Sequence, residues 1–274
     1  MTTWFITGIS RGLGLALARA VLAQGDSVIG TVRAGRPEIT TGAERLQVLT
    51  LDMLDAPAVP AAVERAFALA GGRIDVIVNN AGYGLLGAIE PATDAELARL
   101  FEVDVFAPFR IIRAALPRLR AQGSGHIINI TSIAGRAPGV GSGLYAAAKY
   151  ALEGLSASLA LEVGPLGIKV TAVAPGAFRT DFLSAHSIRH SAADAAYADS
   201  VGRSDAHFTA MAGRQAGDPD QAAQAILALA RAEDPPLHLL LGSDALRRFR
   251  VKQETMAAEI EAWREVTLGT DYPA

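Results

Sequence analysis

The sequence predicts an α/β fold in which helices cover both faces of a doubly wound parallel sheet. Short apolar segments that do not alternate with polar residues recur along the 274 residues, as buried parallel strands do. Between them lie longer segments with apolar residues three and four positions apart, which is the spacing of one helix face. Right-handed crossovers between such strands place helices on both sides of the sheet. No internal repeat and no linker rich in Gly, Ser or Pro divides the chain, so we expect one domain over residues 1–274.

These two patterns predict seven strands and six helices. The predicted strands are 3–7, 27–32, 46–51, 74–78, 125–131, 168–174 and 237–241. The predicted helices are 12–24, 57–70, 93–121, 143–164, 218–232 and 243–266. Residues 33–45 contain Gly, Pro and Thr breakers and little helical periodicity, so we expect no full helix there.

The composition argues against several classes of protein. The formal net charge is −3 and the pI is about 6.0, with scattered basic residues, so we expect neither nucleic acid nor an anionic membrane as a partner. A chain without cysteine has no disulfides and no Cys-ligated metal site, and we expect no metal. No run reaches about 18 apolar residues, and the first strand starts near the N-terminus, so a cytoplasmic protein is expected.

The first predicted strand leads into a glycine-rich turn that fits two kinds of site. Residues 8–12 (GISRG) match the G-x-S-x-G nucleophile elbow of serine hydrolases, in which Ser10 would be the attacking group. Gly8, Gly12 and Gly14 also suit a dinucleotide pyrophosphate, which needs a tight turn, close backbone approach and a helix N-terminus. A nucleophile elbow normally follows several strands, whereas this turn follows the first, so phosphate binding is favoured.

Four further motifs follow in order. Residues 79–82 (NNAG) come after the fourth predicted strand, and Ser132 comes after the fifth. Tyr145 and Lys149 stand beyond Ser132, four positions apart, and residues 175–180 (PGAFRT) follow the sixth strand. Each motif alone has an ordinary structural explanation, such as a tyrosine that packs in the core. Their combination in this order favours a single site at the carboxyl ends of the strands.

With these motifs the sequence resembles the short-chain dehydrogenase/reductase superfamily, in its compact single-domain branch, from residue 3 to about 241. The resemblance implies a Rossmann-type sheet and hydride transfer between a nicotinamide cofactor and an alcohol or carbonyl. It implies Ser132, Tyr145 and Lys149 as catalytic residues. The predicted cofactor-binding residues are these last two with Gly8, Ser10, Arg11, Gly12, Leu13, Gly14, Arg33, Asp52, Met53, Asn80, Ala81, Gly82, Pro175, Gly176, Phe178 and Thr180.

The implied roles agree with the chemistry of the side chains. Reduction of a ketone places negative charge on its oxygen, so a proton donor must lie within hydrogen-bonding reach. A free tyrosine, with a pKa of about 10, is too weak an acid at neutral pH. The Lys149 cation one turn away, together with an oxidised nicotinamide, is expected to lower the pKa of Tyr145. Ser132 would orient the substrate oxygen.

Two arginines indicate NADP(H) as the cofactor. NAD sites place a carboxylate at the end of the second strand, whereas NADP sites place a cation there for the 2′-phosphate. The second predicted strand is followed by Arg33, and Arg11 lies inside the glycine turn. No acid stands at either place. A non-catalytic NADP-binding regulator is a further alternative, although it would not require Ser132, Tyr145 and Lys149.

Asp104 departs from the family pattern. Members usually carry at this place an asparagine whose main-chain carbonyl holds a water in a proton relay to the lysine. Aspartate keeps the carbonyl and the shape, but its charge raises the pKa of a nearby lysine and opposes the field on Tyr145. We therefore expect Asp104 to shift the pH dependence upward rather than abolish turnover.

The remaining predictions concern substrate and assembly. Residues 181–217 are polar, alanine-rich and weakly periodic, which predicts a lid over a small carbonyl or alcohol substrate. Within it His186, His190 and Asp194 would share a helical face. Wall candidates are Tyr83, Gly84, Leu85, residues 133–144, Phe178, Phe182 and Leu183, whose apolar members favour a hydrophobic substrate. The helix at 243–266 could close the site or contact a second subunit, and the resemblance implies a homodimer or homotetramer.

Overall fold

The computed structural model describes residues 1–184 and 187–272 and confirms the predicted α/β class. The strands are β1 (Thr3–Ile6), β2 (Ser27–Val32), β3 (Leu46–Thr50), β4 (Val76–Asn79), β5 (Gly84–Leu86), β6 (Gly125–Ile130), β7 (Ile168–Pro175), β8 (Ile188–His190) and β9 (His238–Leu241). The helices are α1 (Gly12–Ala23), α2 (Ala58–Leu69), α3 (Asp94–Phe101), α4 (Ala107–Gln122), α5 (Gly143–Val163), α6 (Arg203–Met211), α7 (Pro219–Arg231), α8 (Ser243–Ala262) and α9 (Arg264–Leu268).

Seven parallel strands form the central sheet in the order β3-β2-β1-β4-β6-β7-β9. The chain builds one half of the sheet outward from β1 and then crosses back to begin the other half at β4. Such a reversal of strand order opens a crevice at the carboxyl ends of the two adjacent strands, which here are β1 and β4. The Rossmann-type prediction is therefore confirmed, and the crevice fixes where a ligand enters.

Burial on both faces explains why the strands lack a polar alternation. Successive side chains of a strand point to opposite faces of the sheet. In β1, Trp4 and Ile6 pack with α1 and α7, whereas Phe5 packs with α2, α4 and α5 on the other face. All three side chains are at most 1% exposed. Because each face is covered by helices, apolar residues are needed at every position.

The helices lie where the sequence predicts them, but the structure differs from the prediction in three details. The predicted helix 93–121 is interrupted by a π-helical turn, Glu102–Phe106, which separates α3 from α4. The predicted C-terminal helix is divided at Trp263 into α8 and α9. The segment 181–217 contains α6 and the three-residue strand β8, which pairs with β5 in a separate two-stranded sheet; neither strand was predicted.

The prediction that His186, His190 and Asp194 share a helical face is wrong for His190 and Asp194, which are the two residues of this set that the structure describes. His190 lies in β8, and its Nδ1 is 3.0 Å from Oδ1 of Asp205. Asp194 instead caps a short 3₁₀ turn by accepting a hydrogen bond from the N–H of Ala196. His186 lies outside the described residues. Among the described residues no group of three His, Cys, Asp or Glu could hold a metal ion, and no described helix is long and apolar enough to cross a membrane.

Close packing at Gly14 fixes the start of α1 beside the β1–β4 crevice. A Cβ atom at Gly14 would overlap the carbonyl oxygen of Gly8 and Nδ2 of Asn80. Neither neighbour is free to move, because Asn80 Nδ2 donates hydrogen bonds to the carbonyl oxygens of Thr7 (2.9 Å) and Gly8 (3.1 Å). The glycine at this position is therefore required by packing and not by its backbone angles.

We predict that Gly14→Ala lowers the free energy of unfolding by about 1–3 kcal/mol, because overpacking forces backbone shifts. Gly154→Ala is the matched control. Gly154 is an exposed residue within α5, and a Cβ there would meet no described atom within 4 Å. Alanine at this helix position should stabilise by about 0.5–1 kcal/mol. Urea unfolding followed by circular dichroism measures both, and a Gly14→Ala protein as stable as the wild type would contradict the packing argument.

Candidate active site

A cavity of about 1010 Å³ opens at the carboxyl ends of the central strands. Its wall includes the glycine turn after β1, the ends of β2, β4, β6 and β7, and one face of α5. The segment predicted as a lid contributes Phe182, Ile188, Phe208 and Met211, and the first turns of α8 contribute Asp244 and Arg248. The fold thus brings segments that are distant in sequence around one space.

The predicted site residues meet at this cavity, with one exception. The predicted residues that line it are Gly8, Ser10, Arg11, Gly12, Leu13, Gly14, Arg33, Asp52, Met53, Asn80, Ala81, Gly82, Ser132, Tyr145, Lys149, Pro175, Gly176, Phe178 and Thr180. Asp104 is not part of the wall and lies behind Lys149, with a side chain that is fully buried. The wall candidates Tyr83, Gly84, Phe182 and Leu183 also face the cavity.

The glycine turn adopts a backbone that favours glycine at two positions. Gly8 and Gly12 have φ angles of +74° and +57°, in the left-handed region that other residues rarely adopt. Between them, Ser10 is exposed and Arg11 is the extended residue that precedes α1. Although Arg11 is the N-cap residue of α1, its side chain forms no hydrogen bond with the N–H groups of the first turn of that helix. A helix N-terminus of this kind attracts anions.

Two threonines that the sequence reasoning did not select hold this turn in place. Thr7 Oγ1 accepts hydrogen bonds from the N–H groups of Asn80 and Ala81, each at 3.0 Å. Thr31 Oγ1 accepts one from the N–H of Gly8 at 3.1 Å. Thr7 adjoins the glycine motif, which is a usable signal. Thr31 lies within an apolar strand and gave no signal, since its role depends on which strands are neighbours.

Tyr145 and Lys149 point from α5 into the cavity beside Ser132. They are 8% and 5% exposed, and Lys149 Nζ lies 5.7 Å from the centre of the Tyr145 ring. Lys149 Nζ also donates a hydrogen bond to the carbonyl oxygen of Ile130 at 3.3 Å. The segment after Ser132 approaches α5 so closely that a Cβ at Gly135 would lie 2.8 Å from the Lys149 carbonyl carbon. Ser132 lines the same cavity as Tyr145 and Lys149.

A second buried cluster fastens α5 to the end of β6. Glu153, one turn beyond Lys149, accepts a hydrogen bond from Thr131 Oγ1 and lies 3.0 Å from Nε of Arg136. Arg136 Nη2 donates in turn to the carbonyl oxygen of Ala172 in β7 at 2.9 Å. The Arg136 and Glu153 side chains are at most 9% exposed. Because this cluster flanks Ser132, it fixes the distance between that serine and the α5 residues.

Asp104 forms a direct ion pair with Lys149. The π-helical turn directs the Asp104 side chain toward α5, where Oδ2 lies 3.0 Å from Lys149 Nζ, while Oδ1 accepts the N–H of Tyr83 at 3.1 Å. Burial raises the pKa of Asp104, and Lys149 opposes that rise without cancelling it. Burial acts to lower the pKa of Lys149, but the charges of Asp104 and Tyr145 act against it and the pKa is raised. The predicted effect of Asp104 on the lysine therefore has the expected sign.

In the chain alone the pKa of Tyr145 is above its ordinary value, whereas the predicted lowering combined Lys149 with an oxidised nicotinamide. Burial of the hydroxyl raises the pKa of Tyr145, and the lowering by Lys149 is opposed further by the negative charge of Asp104. A hydrogen bond from Ser132 acts with Lys149 to lower it. The net pKa is above the ordinary value because the phenolate loses its hydration and faces a lysine that is already paired.

Three polar residues of the cavity wall were not predicted from the sequence. Arg99 and Arg189 line the wall near Tyr83, and the Arg189 guanidinium lies 5.8 Å from the centre of the Tyr83 ring. Gln215 is 3% exposed and lines the same cavity, and within the described parts of the chain its side-chain amide has no hydrogen-bond partner. No motif surrounds these residues, so only the folded arrangement reveals them.

The chain is similar in sequence and in structure to known oxidoreductases. The family model for the short chain dehydrogenase matches residues 2–190. The chain is 38% identical over 273 residues to oxidoreductase BOA17 of Botryotinia fuckeliana, covering 97% of this chain and 98% of that protein. Its structure is similar to a short-chain dehydrogenase from Streptomyces avermitilis (TM-score 0.89, 39% identity, covering 99% and 100% of the two chains). It is also similar to ElxO with NADP bound (TM-score 0.75, 26% identity, 90% and 99%). The chain therefore belongs to the short-chain dehydrogenase family of oxidoreductases.

Proposed function

We propose that the protein is an NADP(H)-dependent oxidoreductase that interconverts a ketone and a secondary alcohol by hydride transfer, with Tyr145 as the general acid and base. The observation that carries the proposal is the convergence of Ser132, Tyr145 and Lys149 on the cavity that the glycine turn also lines. A hydrolase that uses Ser10 would not need these three residues, and neither would a regulator that only binds NADP.

The residues on the cofactor side fit a dinucleotide phosphate. Gly8 and Gly12 supply the left-handed backbone of a tight turn, and Gly14 allows α1 to begin close against it, as a pyrophosphate site requires. Arg11 and Arg33 line the adjoining wall, where a 2′-phosphate needs cations. The similar protein ElxO binds NADP. When bound, NADP(H) supplies a hydride in reduction and accepts one in oxidation.

The chain's own residues manage the proton. In reduction, the Tyr145 hydroxyl donates its proton to the substrate oxygen as negative charge develops there; in oxidation, the phenolate takes it back. Lys149 stabilises the phenolate by its charge. Ser132 Oγ accepts a hydrogen bond from the N–H of Ala134 at 3.1 Å, so its hydroxyl hydrogen is left to donate to Tyr145 or the substrate oxygen.

The wall next to Tyr145 supports a substrate with an apolar body. The Phe182 ring lies 6.1 Å from the Tyr145 ring, centre to centre, and Leu86, Phe208 and Met211 line the same space. Apolar lining with a few polar groups is typical of sites for small organic ligands.

We predict that the protein oxidises NADPH in the presence of at least one member of a panel of hydrophobic ketones. Tyr145→Phe should lower the turnover by about 10²–10⁴-fold, the usual contribution of a positioned acid or base. Tyr150→Phe is the matched control, because Tyr150 lies on the same helix but donates its hydroxyl to the carbonyl oxygen of Arg136. NADPH absorbance gives the rate. Labelling of Ser10 by a fluorophosphonate without any NADPH oxidation would contradict the proposal.

The cofactor preference has its own test. Arg11→Ala with Arg33→Ala should weaken NADPH binding by about 100-fold or more, since each charge-assisted hydrogen bond contributes about 1.5–3 kcal/mol. NADH binding should change little, because NADH lacks the 2′-phosphate. Arg65→Ala, an exposed change on α2, controls for the loss of positive charge. Fluorescence titration of both cofactors measures this, and an unchanged preference for NADPH would rule out the assigned role of the two arginines.

Asp104→Asn should move the pH profile of alcohol oxidation to lower pH. Oxidation requires the Tyr145 phenolate, so activity rises as the pH passes through the pKa of that group. The Asp104 charge raises this pKa, and its removal lowers it. Glu102→Gln is the control, because Glu102 lies in the same π-helical turn but pairs with Arg110. Rates at saturating substrate across pH measure the shift. A profile for Asp104→Asn that coincides with the wild type would show that the pair does not tune Tyr145.

A further inference from the structure

The C-terminal helix α8 leaves the body of the protein after its first two turns. At its start, Ala245 is fully buried, the Asp244 carboxylate accepts the N–H of Ala177 at 2.9 Å, and Phe249 packs against a cluster that contains Ile133. From residue 253 to residue 272 every described position is exposed. An isolated helix of this length is only marginally stable in water, and most helices in proteins gain their stability from packing of an apolar face.

An apolar stripe runs along the exposed part. Met256, Ile260 and Trp263 are separated by four and three positions, which places them on one face of the helix, in line with the anchored Phe249 seven positions before Met256. Ile260 is 65% exposed and Trp263 is 64% exposed. Apolar residues at these intervals form the contact seam between paired helices. The stripe therefore has the spacing of a helix–helix interface, although its distal residues are exposed.

Charge divides the same helix into two halves. The proximal half carries the cations Arg247, Arg248, Arg250 and Lys252, and the distal half and α9 carry Glu254, Glu259, Glu261 and Glu265. Two residues depart from the division. Arg264 is a cation in the distal part, and Asp244 is an acid at the start that is already bound to the body.

We propose that α8 pairs in antiparallel orientation with α8 of a second copy of this chain. Lys252 and Glu259 lie along one edge of the stripe, because seven residues are close to two helical turns. Arg250 and Glu261, eleven residues apart, lie along the other edge. In a two-fold arrangement centred between residues 255 and 256, Lys252 faces Glu259 of the other copy and Arg250 faces Glu261. This single register pairs opposite charges along both edges of the stripe and also brings the apolar stripes of the two copies into contact.

The charges on α8 disfavour two other partners for this face, namely a parallel copy of α8 and an anionic lipid surface. A parallel pair would set the basic halves against each other and the acidic halves likewise. An anionic lipid surface would meet an arm, residues 250–272, with three basic and five acidic side chains. A self-complementary surface is what a symmetric homodimer requires.

Single cysteines test the orientation directly, since the chain has none of its own. In the proposed register, two copies of Met256→Cys lie side by side, and a short bis-maleimide should join them into a dimer. Two copies of Thr267→Cys lie about 35 Å apart along the axis, from 1.5 Å per residue, and should not be joined. Cross-linking of both variants would show a parallel pair, and cross-linking of neither would show no pair; either result overturns the proposal.

Charge reversal tests the register. Arg250→Glu with Lys252→Glu leaves four acidic side chains at the facing positions of each copy, and Glu259→Lys with Glu261→Lys leaves four basic ones. Each variant alone should sediment with half the mass of the wild-type assembly, and an equimolar mixture should recover the full mass because every facing pair is again opposite in sign. Arg65→Glu with Arg120→Glu, exposed changes on α2 and α4, should leave the mass unchanged. A wild type that is monomeric, or that binds anionic vesicles as a monomer, overturns the proposal, as does a mixture that stays at half mass.

Discussion

The buried contact between α5 and the π-helical turn is the interaction on which the site depends. Asp104 lies 3.0 Å from Lys149 and raises the pKa of that lysine against the effect of burial. The same pair then acts on the pKa of Tyr145, and Asp104 does so without lining the cavity. A regular helix over 93–121 would rotate Asp104 relative to α5. Irregular turns of this kind often occur at functional sites.

Short polar contacts then fix the two halves of the site to one another. Asn80 ties the end of β4 to the glycine turn, so the cofactor side is held across the crevice by side-chain hydrogen bonds to the backbone. On the other side, the Arg136–Glu153 pair and Thr131 hold α5 against the end of β6. The Arg136–Glu153 pair is buried, whereas Asn80 is partly buried and lines the cavity.

The sequence was sufficient where one local pattern determines one structure. Apolar segments predicted all seven strands of the central sheet, and the ordered motifs predicted the residues that line the cavity. It was insufficient where the outcome depends on neighbours distant in sequence. The strands β5 and β8 have three residues each and exist only because they pair with each other. The pKa of Tyr145 likewise depends first on burial of its hydroxyl, which the Tyr145–Lys149 spacing does not reveal.

The position of α8 links assembly to the shape of the cavity. The start of α8 lines the cavity. Asp244 accepts a hydrogen bond from the N–H of Ala177 in the loop after β7. Arg248 donates a hydrogen bond to the carbonyl oxygen of Ala137, near Ser132. Because α8 is one continuous helix, a change in its direction moves both anchors together. A partner that fixes the distal arm therefore also restricts the wall between Ser132 and the loop after β7. Self-association would in this way reduce the freedom of the substrate side without adding a residue to it.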